Sequence, residues 1–375
     1  MPELSANGLT AGRFGRVQLV AVELAAIAGA GAVFAAPPVA IGLSAAATAL
    51  LLGALGRVGG RWAYEAVGAR WRLHGRTRFA NTGLAALAPG LTIGTYVDRG
   101  TPIGIGHDSL GWFAAVAIVS ANRVMLRVDW VARLLAGFSM PVTAVQLVTR
   151  RVPLVGQQDE TAASAVSYRE LLGNAPAPAV REMWLAVRLS PGDAVEAAAE
   201  RGGDVIGVHR ALSAAIARIG TALTAAGIGY QVPDAVGLRR IFTIACGLER
   251  PDPVSEHWAG WHAAGRIHLC FAVRSLPTVP HPELLAELEQ VPAAAASHTA
   301  VILRPNGSGQ GHGGAPSVRV VLRFVTTPEH AAECGRQANQ IAKRMGVSLT
   351  RLNGEHAKGV YATSPSGAAQ GLRPW

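Results

Sequence analysis

The chain contains only two lysines, Lys343 and Lys358, and neither is followed by Ser or Thr. A phosphate-binding P-loop requires Gly-Lys-Ser/Thr, because its backbone amides and its lysine surround the phosphates of a nucleotide. The sequence therefore lacks this ATPase motif. Gly104, Gly106 and Gly111 are spaced wrongly for a dinucleotide-binding fingerprint, and a strand rather than a helix is predicted to follow them, which favours a hairpin turn.

Nucleophilic and metal chemistry also lack a complete motif. The Gly-rich segment 307–314 contains one Ser and one His but does not match Gly-x-Ser-x-Gly, so a flexible hairpin loop is favoured. His257, His262 and His268 lie close in sequence, yet no His-Glu-x-x-His motif occurs, and a predicted turn and strand would separate their side chains. We therefore predict no catalytic, cofactor-binding or metal-binding residue.

Cysteines and carboxylates give the same result. Cys246, Cys270 and Cys334 are odd in number and far apart, so no disulfide framework follows and a reducing compartment fits best. Asp108 and Asp129 have no acid partner nearby in the sequence. A hydrolase with paired carboxylates therefore has little support.

The composition indicates that part of the chain lies in lipid. Hydrophobic residues make up 50% of the 375 residues and charged residues only 15%, with a mean hydropathy of +0.28. These values exclude a disordered chain, a collagen and a disulfide-stapled miniprotein. The net charge of +10 suits either nucleic acid or anionic lipid headgroups, and the densest run of arginines directly follows an apolar stretch, which favours lipid.

Two apolar stretches near the N-terminus predict a pair of transmembrane helices. Residues 17–34 and 39–56 would each form a helix of about 27 Å, close to the ~30 Å of a hydrocarbon core. Pro37 and Pro38 interrupt the helix between them, so an antiparallel hairpin over residues 17–56 is expected. A cleaved signal peptide and two buried helices of a soluble protein are the alternative interpretations.

Arginines flank the predicted hairpin, whereas the connection between its helices is uncharged. The positive-inside rule then places residues 1–16 and everything after about residue 57 in the cytoplasm, so both termini are expected on the cytoplasmic side of the inner membrane. Residues 57–80 form a basic juxtamembrane segment in this interpretation. The predicted membrane-interface belt consists of Arg13, Arg16, Arg57, Arg61, Arg70 and Arg72.

Small residues in the spans predict close helix packing. Gly42 and Ala46 stand four positions apart, and Gly53 and Gly29 lie in similar small-residue surroundings. Such residues let helix backbones approach closely in a membrane, where no hydrophobic force drives association. We expect them to pack the two spans against each other, with docking onto partner helices as the alternative.

Residues 81–363 are predicted to form a cytoplasmic α+β domain, in which helices mix with irregularly spaced strands. The polar, proline-flanked stretch near 153–180 is where this domain would divide into two lobes. Residues 364–375 are expected to be a flexible tail, because they are rich in Gly, Ala and Pro.

Local patterns place the elements of this domain. Short β-branched runs predict strands at 93–97, 103–107, 112–119, 124–130, 141–152, 183–189, 266–274, 300–304 and 318–326. Helical periodicity predicts helices at 193–226 with a break at Gly202–Gly203, at 234–245, and at 328–345.

Three segments in a fixed order resemble a known family. Residues 103–108 read IGIGHD, residues 181–191 read REMWLAVRLSP, and residues 255–271 contain Trp258 and Trp261 before a strand. Behind a two-span N-terminus, this order resembles the EccE family, a membrane component of the type VII (ESX) secretion systems of mycobacteria and related actinobacteria. The resemblance covers roughly residues 13–363.

The resemblance implies a non-enzymatic structural subunit of an inner-membrane secretion complex. Its expected partners are EccB, EccC and EccD, the mycosin protease and membrane lipid, with EccC as the ATPase. It implies no catalytic residues, cofactor, nucleic acid or small-molecule substrate. Two alternatives stay open: a membrane-tethered enzyme such as a glycosyl or acyl transferase, which needs a pocket with convergent acids or a His/Ser pair, and a membrane-tethered nucleic-acid binder.

Overall fold

A computed structural model describes residues 16–58, 61–76, 83–119, 124–153, 167, 170–171, 179–250, 252–274, 286–288, 291–304 and 316–368. The chain forms two compact units. The smaller consists mainly of residues 8–79 and the larger mainly of residues 80–373.

The smaller unit begins with two helices, α1 (Arg16–Phe34) and α2 (Pro37–Leu55), which pack against each other. The prolines at the start of α2 occupy positions where a backbone N–H is not needed, so they begin the second helix and end the first. Among the described residues, α2 is the one helix long and apolar enough to cross a membrane; the apolar part of α1, Gln18–Phe34, is shorter. The transmembrane hairpin stays a prediction.

A short strand pair and a third helix complete the described part of this unit: β1 (Arg57–Val58), β2 (Arg61–Trp62) and α3 (Ala63–Arg76). Gln18 Nε2 donates a hydrogen bond of 3.2 Å to the Tyr64 hydroxyl, which links α1 to α3. Ala69 of α3 is buried.

In the larger unit, twelve strands of the described residues form one antiparallel sheet. They are β3 (Thr92–Asp98), β4 (Thr101–Asp108), β5 (Gly111–Ile118), β6 (Ala144–Pro153), β7 (Ala179–Leu189), β8 (Tyr230–Gln231), β9 (Ser255–His257), β10 (Gly260–Ala263), β11 (Arg266–Val273), β12 (Ala295–Leu303), β13 (Ser317–Thr326) and β14 (Leu349–Arg351). Its helices are α4 (Leu84–Leu87), α5 (Val128–Ala136), α6 (Pro191–Ala199), α7 (Asp204–Ala225), α8 (Ala235–Cys246), α9 (Ala331–Arg344) and α10 (His356–Ala362).

Two halves of the sheet follow the same plan. In the first, the chain runs β5, α5, β6, β7, α6–α7 and β8, and the strands lie in the order β8-β5-β7-β6. In the second, it runs β11, a helical segment at 286–288, β12, β13, α9 and β14, in the order β14-β11-β13-β12. Both are split β-α-β arrangements. A strand hairpin precedes each half and a helix, α8 or α10, follows it, and β6 pairs with β12 to join the halves.

One face of the sheet is apolar and covered by α5, α6, α7 and α9. Side chains alternate between faces along a strand. In the first half this places Val145, Leu147 and Leu185 in a core with α5 and α7. In the second half Leu269 and Leu322 pack in a separate core against α9.

The strand predicted at 124–130 is wrong, because helix α5 begins at Val128. Its apolar residues Val131, Leu134 and Leu135 recur at helical spacing and are buried. The β-branched residues before them suggested a strand, but packing against the sheet decided the conformation. The break predicted at Gly202–Gly203 is confirmed, since both glycines have positive φ between α6 and α7.

The division into lobes near 153–180 does not separate two parts of the sheet. Strands β6 and β7, on either side of this stretch, pair directly from Ala144 opposite Arg188 to Pro153 opposite Ala179. The repeated plan changes from one half to the other between β8 and β9 instead. Most of residues 154–178 lie outside the described part of the chain.

Candidate functional site

The second face of the sheet carries a layer of buried polar side chains under α8 and α10. Strand alternation places these side chains opposite the apolar cores. Burying a charged group costs free energy unless it is paired, so the partners of each group determine what this layer can do. The layer includes Asp108, Gln146, Arg150, Arg188, His268, Ser297, Thr299 and Arg323.

In the first half, Arg188 is fully buried, and each of its three guanidinium nitrogens donates a hydrogen bond. Its Nη1 and Nη2 donate to the two carboxylate oxygens of Asp108 at 2.7 and 2.8 Å, and its Nε donates to the Ser366 carbonyl at 2.6 Å. The Tyr361 hydroxyl of α10 also donates to Asp108. A two-pronged arginine–carboxylate pair is among the strongest hydrogen-bonded contacts in proteins, and here it holds α10 against the sheet.

The surroundings lower the pKa of Asp108 and raise that of Tyr361. Burial raises the pKa of Asp108, but the hydrogen bonds and positive charge of Arg188 outweigh burial, so the carboxyl pKa lies below its ordinary 3.8. Burial, and then the negative charge of Asp108, raise the pKa of Tyr361. Asp108 is therefore ionised and Tyr361 neutral at physiological pH, as a structural ion pair requires.

The segment after α10 closes this half of the layer. Gln146 Nε2 donates to the carbonyls of Ala362 and Ser364 at 2.8 and 3.0 Å, and its Oε1 accepts from the Gly367 backbone N–H. Ser364 and Ser366 are fully buried. Residues 364–368 of the predicted flexible tail are therefore buried and hydrogen-bonded to the sheet, and residues 369–375 lie outside the described chain.

In the second half, Arg323 is 1% exposed but only partly satisfied. Its Nη2 donates to the Ala245 carbonyl at the end of α8 and to Ser297 Oγ at 2.9 Å. Its Nε and Nη1 have no hydrogen-bond partner among the described residues. A buried donor without a partner costs about 1–3 kcal/mol, and more when charged, so this site favours binding of an acceptor.

A cavity of about 600 Å³ opens beside Arg323. Its boundaries are β6, β11, the start of β12, β13, the turn between β10 and β11, and the end of α8. The lining residues with polar side chains are Arg150, Glu249, Arg250, Arg266, His268, Arg323 and Thr327, and several alanines and glycines complete the wall. Arginine side chains thus outnumber the carboxylate, and the cavity is positive.

His268 contributes a neutral ring to this cavity. Burial lowers its pKa well below 6.5, and the positive charges of Arg323 and Arg150 lower it further. Its Nδ1 has no hydrogen-bond partner among the described residues. Arg150 Nη1 donates to Glu182 Oε2 on the neighbouring strand at 2.5 Å, so its charge is shared with that carboxylate. The uncompensated positive charge therefore concentrates at Arg323 and the rim.

Few of the described groups around the cavity are of types that carry out acid–base or nucleophilic chemistry. Among its described lining residues, Glu249 is the one carboxylate, so a pair of carboxylates is absent there. Burial raises the pKa of the nearby Cys246 thiol to about 11 and of Cys270 to about 12, which leaves both as unreactive thiols. No group of three or more His, Cys, Asp or Glu in the described chain could hold a metal ion.

The predicted interface belt is partly visible. Arg57 is exposed and its guanidinium lies 4.4 Å from the centre of the Trp62 ring, while Arg70 and Arg72 are exposed on α3. The side chains of Arg16 and Arg61, and all of Arg13, lie outside the described residues. The belt's role at a lipid surface stays a prediction.

The four predicted packing residues of the spans, Gly29, Gly42, Ala46 and Gly53, lie in open surroundings. A Cβ added at Gly29, Gly42 or Gly53 would have no atom within 4 Å, and Ala46 is exposed. At Gly31 of α1, by contrast, an added Cβ would lie 3.6 Å from Leu43 Cδ1 of α2. Close packing of the two spans through these residues stays a prediction, as does docking onto partner helices.

Sequence reasoning missed the arginines of the polar layer. Arg150, Arg188 and Arg323 each interrupt an apolar strand, in VQLVTRRV, LAVRL and VVLRFV. A charge in the middle of a buried strand is the signal that could have found them. The loop predicted at 307–314 lies outside the described residues, but the strands that flank it, β12 and β13, pair as predicted.

The fold and site define a mixed α+β protein with two similar sheet halves and a basic cavity. Residues 177–273, which run from β7 to β11 and include Arg188 and His268, match the family model "Putative type VII ESX secretion system translocon, EccE". The predicted resemblance to the EccE family is confirmed over this segment. The chain matches none of the curated proteins with which it was compared.

Proposed function

We propose that the protein is a non-enzymatic structural subunit of the inner-membrane type VII (ESX) secretion complex. In this proposal two N-terminal helices anchor the chain, and its larger unit and both termini lie in the cytoplasm. The EccE match over residues 177–273 is the observation that carries the proposal, because that family is a type VII secretion component.

Exposed apolar side chains on α1 and α2 support the membrane anchor. The side chains are largely exposed: 77% for Val33, 91% for Phe34, 71% for Ile41 and 67% for Leu52. Burying such a side chain gains about 1.5–3 kcal/mol, so a lipid environment would stabilise both helices. The exposed arginines after α2 suit the headgroup region on the cytoplasmic side.

The same family match supports the proposed partners. We expect EccB, EccC and EccD, and the mycosin protease, to associate with this chain, with ATP hydrolysis by EccC. A non-enzymatic role is supported by the cavity lining, where a transferase or hydrolase with paired carboxylates would need a second acid beside Glu249.

Introducing two arginines into α2 of the full-length protein tests the anchor. Ala46 and Ala49 are exposed near the middle of α2, and each Ala→Arg change there should cost roughly 2.5–3.5 kcal/mol in a bilayer. Fractionation with carbonate extraction should place the wild-type protein in membranes and release the A46R/A49R variant. Val67→Arg, on exposed α3, is the matched control and should stay with membranes.

Affinity capture from mild detergent, followed by mass spectrometry, tests the complex. Wild-type and V67R proteins should recover the other ESX components, and A46R/A49R should recover much less. An A46R/A49R protein that stays integral to the membrane contradicts the anchor. A wild-type protein that recovers none of the ESX components contradicts the assignment to the complex.

A further inference from the structure

The two halves of the polar layer each bury an arginine on their third strand, but surround it differently. Arg188 and Arg323 both lie on the third strand of their split β-α-β halves, β7 and β13. Arg188 donates from Nε and both Nη atoms to Asp108 and to the carbonyl of Ser366. The chain thus supplies its own acceptors in the first half.

In the second half the space beside the arginine is open. Arg323 is 1% exposed, and its Nε and Nη1 lack partners among the described residues, although an arginine has five N–H donors. The carbonyl at the end of α8 is already occupied by its Nη2. What remains is a pair of buried donors beside a cavity of about 600 Å³.

From this contrast we infer that the cavity beside Arg323 binds a phosphate-bearing small molecule or headgroup. Arg150, Arg250, Arg266 and Arg323 line it from different elements, and Glu249 opposes them with one negative charge. Phosphate offers several acceptor oxygens in different directions, and the planar guanidinium pairs with two of them at once. A carboxylate would satisfy fewer of these donors.

The volume of the cavity indicates that the ligand is larger than the phosphate. Pockets for small molecules usually measure about 300–1,000 Å³, and this cavity falls within that range. Its wall between the arginines consists of small residues, including Ala245, Ala263 and Ala295, which leave room for the rest of the ligand. Neutral His268 can donate or accept a hydrogen bond there without adding charge.

Binding to the full-length protein in phosphatidylcholine nanodiscs tests this inference. The soluble probes are inorganic phosphate, adenosine diphosphate and inositol hexakisphosphate, measured by calorimetry. We expect at least one of them to bind, and a R250A/R266A variant to bind it at least tenfold more weakly, since both arginines are at the rim. Arg336→Ala on the exposed surface of α9 is the matched control and should bind as the wild type does.

A second variant and a second lipid distinguish the sources of phosphate. Arg323→Lys keeps the charge but removes the planar donors, and it should weaken binding of the same probe at least tenfold. Phosphatidylinositol in the nanodiscs should compete with the soluble probe if a lipid headgroup is the ligand, and should leave binding unchanged if the ligand is free in solution. Either result supports the inference.

Three results would overturn it. The first is that none of the phosphate probes, including the phosphatidylinositol headgroup, binds to the wild-type protein. The second is binding of equal strength in the wild-type protein and the R250A/R266A and R323K variants. The third is that an acidic peptide binds to the wild-type protein and more weakly to the R250A/R266A variant, while no phosphate compound competes with the peptide.

Discussion

Arg188 and Asp108 illustrate how a buried ion pair stabilises this fold. The two side chains are almost completely buried and joined by two hydrogen bonds. Removing one partner of such a pair leaves an uncompensated charge, which typically costs about 3–5 kcal/mol. The contact therefore matters most when Asp108 is ionised.

Asp108→Asn should destabilise the protein in a pH-dependent way. Because the folded-state pKa of Asp108 lies below its ordinary 3.8, the carboxylate contributes stability above that pH and loses it as the pH falls further. At neutral pH the variant should lose about 3–5 kcal/mol of unfolding free energy. The difference from wild type should shrink as the pH is lowered below 3.8, measured by urea denaturation with circular dichroism.

Asp129→Asn is the matched control for this measurement. Asp129 pairs with Arg127 and Arg133 at 2.9 and 3.2 Å, but both arginines are largely exposed, so solvent screens the pairs. Its effect should be much smaller at every pH. A difference between wild type and D108N that stays constant from pH 7 to pH 3 would show that the ion pair does not provide this stability.

At the residue scale the sequence shows that these arginines are unusual but not what they contact. The partners of Arg188 lie 80 and 178 positions away, and Tyr361 lies 253 positions from Asp108. A charge inside an apolar strand indicates a buried partner, yet only the sheet order brings that partner close. The open side of Arg323 has no local signal at all.

Most individual elements follow from local pattern, because alternation and helical spacing are local. Strands β4, β5, β7, β11 and β13 and helices α7 and α8 were predicted within a few residues. Helix α5 and the segment after α10 were not, since both are decided by what they pack against. Residues 364–368 are small and polar, as in a loose tail, but buried acceptors and donors hold them.

Gln146→Leu should release the segment that closes the first half. Leucine fills a similar volume but makes none of the three hydrogen bonds that join Gln146 to Ala362, Ser364 and Gly367. Each such bond contributes about 1 kcal/mol, so amide hydrogen exchange in residues 362–368 should become at least tenfold faster. Mass spectrometry of the corresponding peptide measures this rate.

Gln337→Leu provides the matched control for the segment. Gln337 lies on α9 and donates one hydrogen bond of 2.7 Å to Glu333 on the same helix. Its replacement should leave exchange in residues 362–368 unchanged. Equal exchange rates of this segment in wild type and Q146L would mean that Gln146 does not hold it.

On the scale of the whole molecule, the two halves share a plan that the sequence does not display. The hairpin turns at Ser109–Leu110 and at Ala264–Gly265 have the same length, and the strand orders that follow are identical. Their third-strand arginines have different surroundings, since one half closes over Arg188 and the other leaves a cavity beside Arg323. Backbone topology can repeat without any repeated sequence motif.

The sheet joins these halves through β6 and β12, whose pairing runs from Ala144 opposite Leu303 to Arg151 opposite Ala296. Separated halves would each expose a long strand edge with buried apolar side chains such as Val145 and Val301, which promotes aggregation.

Residues 1–250 and 251–375, expressed together as two chains, should therefore associate and co-purify through a tag on one of them, whereas each expressed alone should be insoluble. Val301→Pro in the second chain should abolish recovery of the untagged chain. Because β12 pairs with a strand on each side, the N–H of residue 301 lies in the ladder of one of them, and proline has no N–H to donate. Soluble, independently folded halves that do not bind each other would show that the continuous sheet is not what unites them.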